Sequence, residues 1–234
     1  MRLRAAAIVV ALVAVVVTAC GGGAEAGVTR GPASSPVVAL TFDDGLNGAT
    51  TRSVASMLEA AGMRGTFFVV GQTVEGQADL GRELIAHGHA VANHSFDHRR
   101  AGPDDDGYDQ LERTQAEIRR FLGVCPRYFR PPYGTETEQT RAAVRAAGMR
   151  TVLWDVEVGD WSETDASRLA SNVLGKVRAG SIVLLHDGGE GRPAADRSVL
   201  LAALPMILDG LRARGLTSVG LDELLGESAY LDGC

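Results

Sequence analysis

VVALTFDDGLNGATTRSVASMLEAAGMRGTFFVV, residues 37–70, reads as a strand, a helix and a second strand. Residues 37–42 run apolar without alternation, as a strand buried on both faces does. Over 49–61, Val54, Met57, Leu58 and Ala61 recur at spacings of three and four, which predicts a helix. Residues 66–70 supply the second apolar run. Strands joined by a helix lie parallel, with the helix as crossover.

The same unit recurs along the chain. Helices are expected over 77–87, 108–122, 136–147, 165–178, 198–214 (despite Pro205) and 221–225. Strands are expected over 90–92, 127–129, 151–156, 182–185 and 216–219. Gly88, Gly123, Gly148, Gly180 and Gly215 close the helices they follow. Seven strands alternating with seven helices make a single α/β domain. An open doubly wound sheet and a barrel both satisfy this pattern.

Upstream, Arg2 and Arg4 precede an apolar run at 5–19 that is broken only by Thr18. Fifteen residues fall short of the ~20 that a spanning helix needs and suit a signal peptide over 1–19. The run ends Val17-Thr18-Ala19-Cys20, followed by three glycines. That ending resembles the lipobox of bacterial lipoproteins, which implies lipidation of Cys20. An ordinary secretory leader is the alternative. Residues 20–36, rich in Gly, Ala and Ser, read as a flexible tether, 37–228 as the domain and 229–234 as a C-terminal tail.

The formal charge of −6 falls to about −8 once Arg2 and Arg4 leave with the leader. This disfavours nucleic-acid binding and electrostatic docking to an anionic bilayer. Membrane contact would come from the lipid at Cys20, which places the chain outside the cell at the membrane's outer face. A monomer is expected. Cys125 and Cys234 remain as a candidate disulfide in that oxidising setting, with two free thiols as the alternative.

The residues with chemical capacity fall behind the strands. Asp43 and Asp44 follow the first, His94 and His98 the third, Arg130 and Tyr133 the fourth, Asp160 and Trp161 the fifth, His186 and Asp187 the sixth. In parallel α/β folds the C-terminal strand ends share one face, and that face carries the site. His94-Ser95-Phe96-Asp97-His98 sets two imidazoles four apart. On a helical turn they would face one point, and with a carboxylate they would make a three-ligand metal site with an open position. Of Asp43 and Asp44, one can bind a cation while the other accepts a proton; the residues alone do not say which. Two carboxylates so close need a cation or an arginine beside them.

Other motifs read as bland. His87 and His89 flank Gly88 and look structural. Asp104, Asp105 and Asp106 resemble a calcium loop, but Gln115 stands where the closing Glu belongs. Gly188-Gly189-Glu190-Gly191 lacks the Lys and Ser/Thr of a phosphate loop and reads as a loop beside the cleft.

Taken together, five blocks resemble the NodB-homology polysaccharide deacetylases, carbohydrate esterase family 4. They are Thr41-Phe42-Asp43-Asp44-Gly45, His94-Ser95-Phe96-Asp97-His98, Arg130-Pro131-Pro132-Tyr133-Gly134, Asp160-Trp161 and Leu184-Leu185-His186, in order across 37–225. The resemblance implies a distorted, incomplete (β/α) barrel. It implies Asp44, His94 and His98 as ligands of a divalent metal, zinc first, with cobalt or nickel as alternatives. Asp43 becomes the general base, Arg130 its orienting cation, His186 the general acid and Asp160 its partner. The backbone N–H of Tyr133 becomes an oxyanion donor, and Trp161, Leu184 and Pro132 substrate-binding residues.

The implied reaction removes acetyl groups from N-acetylglucosamine-type units of a polysaccharide, peptidoglycan or chitooligosaccharide, releasing acetate. O-deacetylation of acetylxylan by the same site is the first alternative. An iron oxygenase would leave Asp43, Arg130 and His186 without a role. A sugar-binding lipoprotein would be expected to lack a ligand or His186. Glu157, where relatives often carry Asp, is the one departure and touches no residue assigned to chemistry.

Overall fold

A computed structural model describes residues 26–102, 107–192 and 194–234. The expected leader, Cys20 and the acidic turn at 104–106 lie outside the described residues. The central strand is β1 (Val37–Gly45), buried along nearly its whole length. It pairs in parallel with β2 (Gly65–Val69) on one side and β6 (Ile182–His186) on the other. Helix α1 (Gly48–Ala60) is the crossover from β1 to β2. It buries Val54, Ala55 and Leu58 against a core that includes Phe42, Phe67 and Val183. From β2 the sheet continues through β3 (Ala90–Asn93), β4 (Tyr128–Phe129) and β5 (Arg150–Thr151), every pairing parallel. A last strand, β7 (Thr217–Ser218), pairs with the start of β1.

The remaining helices are α2 (Gly71–Val74), α3 (Ala78–Ala86), α4 (Tyr108–Leu122), α5 (Glu138–Ala146), α6 (Ala166–Lys176), α7 (Ser198–Ala213) and α8 (Leu221–Leu225). Pro205 sits inside α7 at an exposed position.

The strand expected over 151–156 is split, and the split is what curls the sheet. Pro131 and Pro132 offer no N–H and end β4 after two residues, so the neighbouring chain loses its ladder partner beyond Val152. Residues 153–155 then cross to the opposite edge. There Val156 pairs with Val183 of β6, and Leu184 N–H donates to Val156 O at 2.9 Å. The Asp155 carboxylate completes the crossing by accepting from Ile182 N–H at 2.8 Å and Ser181 Oγ–H at 3.1 Å. The result is a curled, incomplete barrel of parallel strands.

The tether expected over 20–36 is also corrected in its later part. Val28 pairs with Val152, donating to Thr151 O at 2.9 Å and accepting from Leu153 N–H at 2.7 Å. Gly31 N–H donates to Gly180 O at 2.9 Å. A Cβ on Gly31 would lie 2.6 Å from Leu224 Cγ, so only glycine fits there. Backbone pairing fills the gap between β5 and β6, and a composition of small residues does not report backbone pairing.

The tail is fixed as well. Leu231 N–H donates to Cys125 O at 2.8 Å. Cys125 and Cys234 are joined in a disulfide with Cα atoms 5.7 Å apart. It spans 109 residues, and a cross-link over so long a loop restricts the unfolded chain strongly. Cys125→Ser is expected to lower the unfolding free energy by about 3 kcal/mol. Urea melts of oxidised protein check this, with dithiothreitol-treated wild type expected to match the variant.

Candidate active site

Residues alternate faces along β1, so Thr41 and Asp43 share one side and Asp44 would point away. It does not, because Asp44 adopts φ +74°, a left-handed conformation costly for a residue with a Cβ. That turn swings its carboxylate to the side of Asp43. Glu190 N–H holds Asp44 Oδ2 at 2.8 Å. The supporting loop passes so close that a Cβ on Gly188 would sit 2.1 Å from Asp44 O.

The His94–His98 segment is an irregular loop, not the helical turn expected from its spacing. Ser95 (φ +66°) and His98 (φ +60°) are left-handed. Helix α4 clamps the loop through two buried amides. Asn93 donates to Leu111 O and Gln115 Oε1 at 3.0 and 3.2 Å and accepts from Ser95 N–H at 3.0 Å. Gln110 Oε1 accepts from the N–H groups of Phe96 and Asp97, both at 3.1 Å.

His94 Nδ1 donates to Arg130 O at 2.7 Å, which turns Nε2 toward the aspartates. His94 Nε2 lies 3.4 Å and His98 Nε2 3.0 Å from Asp44 Oδ1. These three ligand atoms fall within 4.8 Å of one another. Asp44 Oδ1 and His98 Nδ1 are buried, and neither has a hydrogen-bond partner among the described residues. A carboxylate and two imidazoles that converge on one point, as these three do, fit a divalent metal site.

Electrostatics agree. Burial pushes the Asp44 carboxyl up, but the hydrogen bonds and charges of His94 and His98 outweigh it and hold the group far below the usual carboxylate range. Burial pulls His94 down, yet Asp43 and Asp44 raise it overall. The pocket therefore favours a cation.

Arg130 is fully buried. Nη1 donates to Asp43 Oδ1 at 2.7 Å and to Thr41 Oγ1 at 2.9 Å. Nε and Nη2 donate to the carbonyls of Val152 and Leu153, each at 3.0 Å. Its guanidinium also stacks 4.0 Å over the Phe68 ring. Asp43 thus has one oxygen engaged by Arg130, and its Oδ2 lies 3.6 Å from His94 Nε2.

In the sheet register Asp43 pairs with His186 on β6, so the two stand side by side across the strands. Asp160 grips His186 twice, accepting from its N–H and its Nδ1–H, each at 2.8 Å. Burial disfavours the imidazolium, but the Asp160 hydrogen bond and charge, joined by Asp43 and Asp44, raise His186 to about 9. A proton donor with that value is charged below pH 9 and loses its proton as pH rises through it. The alkaline limb of kcat/KM is expected near pH 9. Asp160→Asn should move it toward the ordinary imidazole value of about 6.5. A pH–rate profile of both proteins checks this; an unmoved limb would mean that Asp160 does not set the acid.

These groups face a cleft of about 450 Å³, with Trp161 and Leu184 in its wall. Trp161 stands edge-on to His186 at 5.2 Å between ring centroids. Tyr133, left-handed at φ +60°, sits at the lip, and its N–H has no acceptor among the described residues. The structure does not bring Pro132 to the cleft. It is buried and lines a separate small cavity with Ser95, Phe129 and Thr140 instead.

The profile of the polysaccharide deacetylase family matches residues 30–152. A chitooligosaccharide deacetylase of Bradyrhizobium sp. (strain ANU 289) is 37% identical over 196 residues, covering 80% of this chain and 90% of that protein. The chain belongs to the polysaccharide deacetylase family. It is also 32% identical over 199 residues to a peptidoglycan-N-acetylglucosamine deacetylase of Bacillus cereus, covering 83% of this chain and 90% of that one. The crystal structure of the Bc1960 peptidoglycan N-acetylglucosamine deacetylase superimposes with a TM-score of 0.81 at 29% identity, covering 87% and 94% of the two chains. The curled parallel barrel is the fold of this deacetylase family, and the chain is an enzyme of that class.

Two residues of this deacetylase's cleft, Trp154 and Glu190, were not singled out as site residues in the sequence, and Asp187 was placed at a strand end without a role. Trp154 forms a second aromatic wall and donates from Nε1 to Glu157 Oε2 at 3.0 Å. A Cβ on Gly134 would meet its ring at 2.8 Å. Glu190, at φ +54°, holds Asp44 and accepts from Tyr133 O–H at 3.1 Å, tying the loop after β6 to the lip after β4. Asp187 is fully buried beneath the site. Burial raises it to about 7; a hydrogen bond from Thr51 opposes the shift, and the charges of Asp44 and Asp43 add to it. The signal available for Glu190 was its place in the loop after a predicted strand, whereas Trp154 falls inside the strand expected over 151–156 and carried none.

Proposed function

We propose that the enzyme hydrolyses the N-acetyl group of N-acetylglucosamine units in a cell-wall or chitin-type glycan, releasing acetate and a free amino sugar. We further propose zinc as its metal and a lipid anchor at Cys20 on the outer face of the membrane. One observation carries the reaction: a base, a cation site and an imidazole bonded to a carboxylate line a single cleft. Each is held by its own partner (Arg130, the two histidines with Asp44, and Asp160). The chitooligosaccharide and peptidoglycan specificities of the relatives support the substrate class, and Val17-Thr18-Ala19-Cys20 supports the anchor.

Asp44 Oδ1, His94 Nε2 and His98 Nε2 would hold a divalent ion, which supplies Lewis acidity to the amide carbonyl and lowers the pKa of a water. Asp43 takes the proton from the attacking water on Oδ2, the oxygen that Arg130 leaves open. The new C–O bond forms as the carbonyl oxygen gains charge, and the N–H of Tyr133 is available to receive it. His186 gives the proton on Nε2 to the departing nitrogen as the C–N bond breaks. Asp160 stabilises the imidazolium that this requires. Trp161 and Leu184 enclose the acetyl methyl.

Acetate release from peptidoglycan, chitooligosaccharide and acetylxylan, with and without chelator, tests the reading. Chelator-sensitive release from an N-acetylated glycan is expected. Release from acetylxylan alone would replace the amide by an ester. Metal binding with no release from any of the three would favour a sugar-binding protein.

A further inference from the structure

The loop between β6 and α7 brings two arginines, Arg192 and Arg197, to the cleft wall. Both guanidiniums are anchored in the same manner. Arg197 Nε donates to Gly188 O at 2.6 Å and Arg192 Nε to Gly189 O at 3.1 Å, so the Nη ends remain as donors. Arg192 Nη2 lies 3.3 Å from Glu190 Oε2. No carboxylate lies within ion-pair distance of Arg197 among the described residues. The neighbouring Asp196 accepts from Ser198 N–H at 2.8 Å. Both arginines also line a second depression, of about 340 Å³, with Gly189, Ala195 and Asp196. The two spaces therefore meet along the arginine edge.

The charge balance makes this pair informative. The chain carries −6 overall, and the cleft wall holds Asp43, Asp44, Glu157 and Glu190. A neutral glycan needs no fixed cation beside such a wall. A half-buried guanidinium without an anionic partner offers the planar paired donors that carboxylates accept.

We propose that Arg197, with Arg192, forms a carboxylate subsite, so that the preferred glycan carries a carboxylate on a sugar next to the one being deacetylated. This rests on the deacetylase reading above and names its substrate more closely. The carboxylate can belong to an acidic sugar itself or to a peptide attached to it.

The test compares kcat/KM on four glycans: a neutral chitooligosaccharide, an alternating oligosaccharide with free lactyl carboxylates, the same oligosaccharide with those carboxylates converted to methyl amides, and its peptide-bearing form. Wild type is expected to favour the carboxylate form over the amide form by about tenfold at low salt, and less as salt screens the contact. Arg197→Gln should erase that preference through KM and leave the neutral substrate within about twofold. Arg192→Gln, at an exposed position free of the Gly188 contact, should reduce it partly. A peptide-bearing glycan as good as the free carboxylate form would assign the charge to the peptide.

Equal rates of wild type on carboxylate and amide forms would overturn the subsite. So would an Arg197→Gln loss of equal size on charged and neutral glycans, which would make the arginine a brace for Gly188. Failure to release acetate from all four would instead remove the deacetylase reading itself.

Discussion

Asp43→Asn is expected to lower kcat by on the order of 10³-fold while the protein keeps its full metal content. The amide preserves the volume and one acceptor for Arg130 but cannot take a proton from water, and a positioned general base contributes about 10²–10⁴-fold. The separation of roles comes from adjacent residues of one strand. Asp43 is tied to a buried arginine, and Asp44 is turned by its left-handed backbone toward two imidazoles. Elemental analysis beside the rate measurement distinguishes them. Loss of metal in Asp43→Asn would make that residue a ligand, and a fall of less than tenfold would place the base elsewhere.

Arg130→Met is expected to destabilise the protein by about 3–5 kcal/mol, because it strands the Asp43 carboxylate in a buried site. Arg130 donates four hydrogen bonds from a position with no exposure, so three oxygens other than Asp43's also lose a donor. Two of them are the carbonyls of Val152 and Leu153, where the chain leaves β5 to cross the barrel. The loss therefore loosens the crossing as well as the base. Adding Asp43→Asn to Arg130→Met should recover about 1–3 kcal/mol by removing the unpaired charge. Chemical denaturation of the single and double variants measures that coupling. Strict additivity would show that the ion pair is not the source of the loss.

The parts of the fold legible in sequence are those whose hydrophobic pattern is local. β1, β2 and β6 are apolar on both faces and fall close to their expected bounds, as do α1, α4 and α7. The split of the 151–156 strand was not legible, because it depends on where β4 runs out of N–H groups, a property of the neighbouring strand. The docking of Val28 and Gly31 was invisible for a similar reason. Main-chain pairing leaves no mark in a run of small residues.

Within the site, strand ends located every group assigned to chemistry, since C-terminal ends converge whatever their detailed geometry. The sequence did not carry the left-handed turns at Asp44, His98, Tyr133 and Glu190, which decide what each side chain faces. Spacing alone suggested a helical turn for His94 and His98, and the clamp from Gln110 and Asn93 overrides it.

On the proposed anchor at Cys20, the docked segment at Val28–Gly31 would also set a range of action. A membrane anchor at Cys20 joined to a domain that began at Val37 would allow a leash of at most about 61 Å. With the chain paired to the barrel from Val28, eight peptide units remain from Cys20, and they reach at most about 29 Å however they are arranged. An enzyme so anchored would patrol a thin shell just above the bilayer. It would meet glycan strands as they emerge at the membrane and leave the outer layers of a thick wall untouched.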